Sequence, residues 1–203
     1  MIDQDSVTES KRQALIDAGR ELFLKNTYTN ISIRRIAEKA KVNSALIAYY
    51  FGSKGGLFRE VLSSYLSHNL DRLELATDDL SHDSLYDFFL NFYQSMPPEF
   101  TQLILRTVLF ERSEMREWIM NDIFSRVLNL ATRTSQRFVD ESGEAYDPHL
   151  VRTLVQSLLV MPKVLQPIIE ELEPGRINDE FYEKLAEMNS QILTQFFNLD
   201  KSM

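Results

Sequence analysis

Residues 30–56, NISIRRIAEKAKVNSALIAYYFGSKGG, constrain the fold of this chain more than any other stretch, because they predict two short helices joined by a tight turn. Ser32 is a suitable N-cap for the first helix, and apolar residues follow it at helical spacing. The turn is predicted at Lys41 and Val42, and Asn43 is a suitable cap for the second helix. The hypothesis that follows is a helix-turn-helix, in which the second helix is the one that contacts DNA.

The second helix has an apolar side and a side of small and aromatic polar residues. Leu46, Ile47 and Phe51 can face inward at helical spacing. The exposed side is then formed by Ser44, Ala45, Ala48, Tyr49 and Tyr50. A ridge of this shape fits a major groove and offers hydroxyl groups to phosphates.

The same stretch resembles the N-terminal region of the tetracycline-repressor (TetR) family of bacterial transcriptional regulators. The resemblance lies in the first third of the chain and is carried by Ala18, Leu22, Phe23, Ile36, Ala37, Val42, the triplet Tyr49 to Phe51, Ser53, Lys54, Leu57 and Phe58. It implies that position 34 reaches a base and that Lys54 contacts a phosphate. The candidate DNA contacts are Ser32, Arg34, Asn43, Ser44, Ala45, Tyr49, Tyr50 and Lys54.

Four residues at three sites depart from the usual pattern of that family. Lys41 stands where glycine is common, so a left-handed backbone there costs about 1 kcal/mol. Ala48 replaces a larger polar or aromatic side chain, so one base contact is expected to be missing. Gly55 and Gly56 stand where acidic residues often begin the next helix, and we expect them to soften its first turn.

Apolar residues recur at helical spacing through the rest of the chain, and no strand pattern or internal repeat occurs in the sequence. A helix that precedes the helix-turn-helix is predicted from a capping box at Ser6 to about Asn26. A long fourth helix is predicted from a cap at Ser53 to about Thr77. The fold class is therefore predicted to be all-α.

The predicted organisation is an N-terminal three-helix helix-turn-helix head, a long connecting helix and a larger helical domain for ligand binding and dimerisation. The boundaries are predicted at residues 1–53, 54–80 and 81–203. Within the last domain, Pro162 and Pro167 predict a kink or a break in a helix.

Charge is distributed unevenly along the chain, whose net charge is -8. Residues 1–67 contain ten basic and seven acidic residues, whereas the remainder contains twelve basic and 23 acidic residues. A mildly basic head on an acidic body is typical of a modular DNA-binding protein, because phosphate attracts only the head.

Cysteine is absent, which excludes a disulfide framework and a thiolate metal site and is compatible with a reducing cytoplasm. The acidic, polar N-terminus does not resemble a secretory signal, and prolines and a lysine interrupt the most apolar run, near Leu158, so no membrane span is predicted. We therefore expect a cytoplasmic protein.

Aromatic and methionine residues are concentrated after residue 80. They predict either an ordinary hydrophobic core or a ligand cavity. The TetR resemblance implies an effector pocket among the middle helices and an apolar or aromatic effector. The candidate pocket residues are Phe89, Phe92, Tyr93, Met96, Phe110 and Trp118, with Arg106, Glu111 or Arg112 as polar anchors, and no cofactor is predicted.

The last two predicted helices have apolar faces too large for one small bundle to cover, and the TetR resemblance implies that they pair with a second copy. A homodimer places two recognition helices in successive major grooves, which implies a palindromic operator. An effector that favours wrongly spaced heads would then release the DNA. The TetR resemblance implies a repressor.

The sequence bears on two other functional classes, an enzyme and a ligand-binding protein without a DNA function. An enzyme is disfavoured because His68, His82 and His149 are scattered and neither a cysteine nucleophile, a glycine-rich phosphate loop nor a metalloprotease motif occurs. No metal site is predicted. The alternative function is a helical small-molecule-binding protein without a DNA function, which would leave the basic and tyrosine residues of the head unexplained.

Overall fold

The computed structural model describes residues 4–199, with side chains for residues 8–66, 74 and 79–199. Over this range the chain is helical and contains no β-strand, which confirms the predicted all-α class. The helices are α1 (Gln4–Lys25), α2 (Ile33–Ala40), α3 (Ala45–Phe51), α4 (Lys54–Asp78), α5 (His82–Ser95), α6 (Pro98–Phe110), α7 (Glu114–Trp118), α8 (Ser125–Ser142), α9 (Pro148–Leu172) and α10 (Asp179–Phe196). A 3₁₀ turn at Tyr28–Asn30 precedes α2, and a π-helical segment, Ile119–Phe124, precedes α8.

The helices form two compact units. The N-terminal unit contains Met1–Leu66 and Gln102–Asn121, and the C-terminal unit contains Ser67–Thr101 and Asp122–Met203. This grouping differs from the predicted boundaries, because the first half of α4 and most of α6 pack with the helix-turn-helix. Both α4 and α6 therefore pass from one unit to the other along the chain.

The core of the N-terminal unit is aromatic. Phe23 on α1 meets Phe58 on α4 edge to face, with ring centroids 4.9 Å apart, and Tyr28 meets Phe58 at 5.1 Å. Edge-to-face pairs of this kind contribute beyond their buried area. Helix α1 packs on both α2 and α3 and begins at Gln4, two residues before the predicted cap at Ser6. The helix-turn-helix is thus held on a rigid base.

The C-terminal unit is built on the contacts of α10 with α5 and of α8 with α9. Its core contains Leu80, Leu85, Phe88, Phe89, Tyr93, Phe138, Val151, Tyr182, Ala186, Leu193 and Phe197. Tyr93 of α5 and Tyr182 of α10 are stacked, with ring centroids 5.2 Å apart. The other aromatic rings of this core also pack against one another, as Phe89 does on Tyr93 and Phe138 does on Phe197.

Helix α9 continues through both of its internal prolines, so the helix is not broken at either one, and the predicted kink stays a prediction. Pro162 has no N–H, so the carbonyl of Leu158, four residues earlier, lacks its usual helical donor. The Tyr93 hydroxyl donates to that carbonyl at 2.8 Å. A side chain from α5 therefore satisfies the acceptor that the proline leaves open, and the helix can continue.

Candidate nucleic-acid interface

The turn between α2 and α3 has the geometry that the sequence predicted. Ser32 caps α2 by accepting a hydrogen bond from the Arg35 N–H at 3.1 Å. Lys41 ends the helix with φ 56° and ψ 40°, the left-handed conformation expected at this position. The chain then reverses so that the Val42 N–H donates to the Ala37 carbonyl at 3.0 Å. These bonds satisfy the end of α2 and offset the backbone strain at Lys41, about 1 kcal/mol.

Helix α3 starts where Asn43 can cap it. The Asn43 side-chain oxygen accepts from the Ala45 N–H at 2.8 Å, as expected for a cap. Ile47 is fully buried beneath the helix, and Gly52 ends it with a positive φ of 73°. The helix is short, but its start, its buried side and its end are all determined locally.

The outer side of α3 carries the residues predicted to face DNA. Ser44, Ala45 and Ala48 are exposed, and Tyr49 projects with 75% of its surface accessible. Tyr50 is placed differently, because its hydroxyl donates to the Thr8 carbonyl of α1 at 3.2 Å. Tyr49 therefore offers a hydroxyl outward, whereas Tyr50 also braces α3 against α1.

The basic residues of α2 are exposed, but two of them have carboxylate partners. Arg34 donates from Nε to Glu38 at 2.7 Å, and Lys39 lies 2.8 Å from Glu21 of α1. Exposed ion pairs of this kind are weak and exchange readily with other anions. Only the Nε–H of Arg34 is used in this pair, so its terminal NH2 groups can still donate to a nucleotide.

Lys54 is not placed as a free phosphate-binding cation. Its ammonium donates to the carbonyls of Tyr28 and Ile31, both at 2.9 Å, and lies 4.0 Å from the centroid of the Tyr28 ring. Burial lowers the pKa of Lys54, and the nearby Glu114 and Glu111 oppose that shift. Two of its three N–H groups thus attach the segment before α2 to the start of α4, and a phosphate contact through the third remains a prediction.

Tyr28 connects the helix-turn-helix with residues far along the chain. Its hydroxyl donates to a Glu114 carboxylate oxygen at 2.8 Å. Burial, and then the bond to Glu114, raise the pKa of Tyr28 well above its usual range. Sequence reasoning missed this pair, since 86 positions separate the two residues and no local pattern joins them.

The candidate effector residues are divided between the two units. Phe89, Phe92, Tyr93 and Met96 belong to the C-terminal unit, and Arg106, Phe110, Glu111, Arg112 and Trp118 belong to the N-terminal unit. That these residues together bind an effector stays a prediction.

Within the N-terminal unit, Arg106 is occupied as a structural residue. Its guanidinium donates to the carbonyls of Asn26 at 2.9 Å and Phe23 at 3.4 Å. Phe110 is 80% exposed, and Glu111 is buried with neither carboxylate oxygen hydrogen-bonded. The guanidinium of Arg59 lies 5.5 Å from the centre of the Trp118 ring. These contacts give Arg106 and Trp118 partners within the protein itself.

A small cavity adjoins Phe89 in the C-terminal unit. It has a volume of about 30 Å³ and is lined by Leu85, Phe88, Phe89, Ala131, Thr134, Ser135, Phe138, Val155 and Leu193. That volume holds about one water molecule. An effector would therefore need this region to open, and Phe92, Tyr93 and Met96 do not line the cavity.

The described part of the chain lacks two further features, a metal site and a membrane-spanning helix. Its side chains include no group of three or more histidine and carboxylate residues placed to hold a metal ion. None of the helices, over the residues that could be examined, is both long and apolar enough to cross a membrane.

Comparison with known proteins places this geometry in a family. Residues 15–61 match the family of bacterial regulatory proteins described as tetR. The chain is 27% identical over 188 residues to YttP of Bacillus subtilis, named as an HTH-type transcriptional regulator, covering 87% of this chain and 88% of YttP. It is 35% identical over 98 residues to the HTH-type transcriptional repressor NicS of Pseudomonas putida, covering 46% of each chain.

The fold is also similar to that of solved structures. One is the transcriptional regulator FadR of Bacillus subtilis in complex with stearoyl-CoA, with a TM-score of 0.61 and 17% identity over 90% of this chain and 97% of FadR. The matched residues 15–61 run from α1 through the helix-turn-helix into α4, which is the segment whose caps and turn are described above. Over these residues the chain belongs to the TetR family of bacterial regulatory proteins.

Proposed function

We propose that this regulator is a cytoplasmic repressor, rather than an enzyme, that binds a palindromic operator as a homodimer and is released by a small-molecule effector. The observation that carries the proposal is the outer side of α3, where small residues surround the exposed Tyr49. Small side chains allow the helix to approach base edges closely, and a tyrosine hydroxyl is a good phosphate donor.

Tyr49→Phe tests the DNA contact, because it removes only the hydroxyl group. A hydrogen bond to a charged phosphate contributes about 1.5 kcal/mol or more, so we expect roughly a tenfold loss of affinity. The loss should be similar for specific and non-specific duplexes, since a phosphate contact carries no sequence information. The measurement is fluorescence anisotropy with the DNA upstream of the gene and with a scrambled duplex, each at two salt concentrations.

Tyr146→Phe is the matched control, because Tyr146 is also exposed but lies in the C-terminal unit. It should leave DNA affinity unchanged. If wild-type protein ignored every duplex at low salt, its own promoter included, the DNA-binding function would be rejected and a helical ligand-binding protein would be favoured.

The exposed side of α9 supports the homodimer. It carries Leu150, Leu154, Met161, Leu165, Ile168 and Leu172, all accessible to solvent in the single chain. The spacing of these residues places them on one face of the helix. On α10, Met188, Ile192 and Phe196 form a second exposed apolar row. Such surfaces are usually covered by another protein, and a two-fold pairing of the same helices covers both copies.

Ile168→Asp is expected to convert the dimer to a monomer at micromolar concentration. Ile168 is 57% exposed, so the substitution costs the isolated chain little, whereas a buried unpaired carboxylate at an interface costs several kcal/mol. Sedimentation equilibrium measures the result. Asn129→Asp, which adds the same charge at an exposed position of α8, should remain dimeric, and a dimeric Ile168→Asp protein would contradict this interface.

Release by an effector is proposed as a linkage effect. A ligand that favours a conformation with wrongly spaced heads must weaken DNA binding by the same coupling free energy. Helix α4 is the proposed connection, because it begins beside the helix-turn-helix and ends in the C-terminal unit. The stearoyl-CoA bound to FadR supports an effector site in this fold, here proposed in the C-terminal unit, beside Phe89, Phe92, Tyr93 and Met96.

A further inference from the structure

Lys163 is a buried cation without an anionic partner. It lies on α9 between two prolines, only 3% of its surface is exposed, and its ammonium sits 4.1 Å from the centroid of the Tyr182 ring. Within the described part of the chain, no carboxylate oxygen lies within 4.0 Å of it. A buried charge left unpaired is costly, so this position requires an explanation.

The surroundings of Lys163 do not supply the missing charge. Burial lowers the pKa of Lys163 to about 8, and Glu99 at the start of α6 opposes that shift. Tyr182 faces it from α10 with a pKa raised to about 12 by burial. Tyr93 of α5, stacked on Tyr182, also has a raised pKa because it is buried. Both phenols are therefore neutral at pH 7, so the ammonium has the weak attraction of a ring face and the longer-range attraction of Glu99, with no anion in contact.

A second group in the same cluster also lacks a partner. Asn189 of α10 is 1% exposed and donates from Nδ2 to the Tyr93 hydroxyl at 2.8 Å. Its side-chain oxygen is buried and accepts no hydrogen bond. The cluster therefore contains a cation that lacks an anion and an acceptor that lacks a donor, joined by the Tyr93–Tyr182 stack.

Stability alone does not account for this cluster. A methionine has nearly the shape of the lysine stem and could occupy the position without a charge to desolvate. The protein thus retains a destabilising amine in its core, which is typical of a site kept for binding.

We propose that Lys163, Tyr182, Tyr93 and Asn189 form a binding site for an organic anion with an apolar body. The carboxylate or phosphate of the ligand pairs with the ammonium, the body lies along the two tyrosine rings, and a hydroxyl group of the ligand donates to Asn189. This inference rests on the proposed effector function and specifies the chemical class of the effector. Ligand entry requires local opening, as expected for a site that switches conformation.

The test uses three probes with one shared ring and a hydroxyl group that does not titrate below pH 10: 4-(hydroxymethyl)benzoate, 4-(hydroxymethyl)phenyl phosphate and the neutral 4-(hydroxymethyl)benzamide. Binding to the full-length protein is measured by isothermal titration calorimetry at pH 7 and pH 9.5, without DNA. We expect at least one anion to bind at least tenfold more tightly than the amide, because a charged hydrogen bond is stronger than a neutral one. Preference for benzoate or for the phosphate identifies the anion.

Two properties should depend on Lys163 itself. Affinity for the anion should fall roughly tenfold per pH unit above about 8, where the free lysine loses its proton. Lys163→Met and Lys163→Gln should each lose the preference for the anion over the amide. Lys184→Met is the matched control, since Lys184 is an exposed lysine paired with Glu180, and it should bind as wild type does.

Ligand-free Lys163→Met is expected to melt at a higher temperature than wild type at pH 7. The pKa of Lys163 is about 8 in the folded protein and about 10.5 in the unfolded chain, so the unfolded chain holds the proton more tightly. The free energy of unfolding of the wild type should therefore rise between about pH 8 and 10.5. The Lys163→Met variant should lack this rise. If neither anion bound better than the amide, or if both Lys163 variants kept the preference, the anion site would be rejected. Operator binding by wild-type protein is measured separately, so such a result would leave the DNA-binding proposal standing.

Discussion

Lys54→Met is expected to lower the free energy of unfolding by about 2–4 kcal/mol and to abolish operator binding. The substitution removes both hydrogen bonds from the ammonium to the carbonyls of Tyr28 and Ile31. Hydrogen bonds to charged groups contribute about 1.5–3 kcal/mol each, and relief of the partly buried charge offsets some of the loss. Since these bonds attach the segment before α2 to α4, the recognition helix should lose its position. Thermal melting and DNA binding measure the two effects.

Lys25→Met is the control for Lys54→Met, because Lys25 is an exposed lysine in the last turn of α1. It removes the same charge and should change the melting temperature little. If Lys54→Met instead kept its stability but bound DNA more weakly, Lys54 would be a phosphate contact. In that case the slope of log affinity against log salt concentration should become shallower by about one unit.

Gly56→Ala should destabilise the protein by about 2–4 kcal/mol, the opposite of the usual effect of alanine in a helix. Alanine ordinarily stabilises a helical position by about 0.5–1 kcal/mol. Here an added Cβ would fall on the carbonyl oxygen of Phe51, which is backbone and cannot rotate away. Close approach of α3 to α4, rather than a softened joint, is therefore the reason for glycine. Chemical denaturation of the variant measures the change.

Two other glycines serve as controls for Gly56→Ala. A Cβ on Gly55 would meet the terminal methyl group of Met115 at 3.0 Å, and that flexible side chain can move, so Gly55→Ala should cost less. Gly175 has a positive φ of 78° in open space, so Gly175→Ala should cost only about 1 kcal/mol. A Gly56→Ala protein as stable as wild type would show that α3 and α4 can separate without cost.

The helix-turn-helix could be predicted from the sequence because its determinants are local. Ser32 and Asn43 bond to N–H groups two or three residues away, and the turn at Lys41 is set by the residues around it. Caps, turns and periodicity act over one helical turn, so a single sequence contains them.

The position of Lys54 could not be predicted in the same way. Its partners lie 23 and 26 residues earlier, in a segment whose course depends on the packed core. The grouping of Gln102–Asn121 with the N-terminal unit depends likewise on contacts such as that of Tyr28 with Glu114. Family resemblance assigned Lys54 to phosphate, and only the three-dimensional arrangement reveals its bonds within the protein.

Whether the aromatic residues after residue 80 form a core or a ligand cavity could not be predicted from the sequence either. Phe89 and Tyr93 recur at the spacing of a buried helix face, and that spacing is the same whether they fill a core or line a cavity. The structure buries both in the core of the C-terminal unit. Lys163 gave no signal in the sequence, since a lysine between two prolines is ordinarily a surface residue.

The bond from Tyr93 to the Leu158 carbonyl fixes the register of two helices. If α5 slid along α9 by even one residue, the hydroxyl would leave the carbonyl that Pro162 exposes, and a polar group would remain unsatisfied inside the protein. Intermediate positions are therefore unfavourable. These two helices are expected to hold their alignment or to change it in a discrete step, so that motion in this part of the molecule is all-or-none rather than gradual.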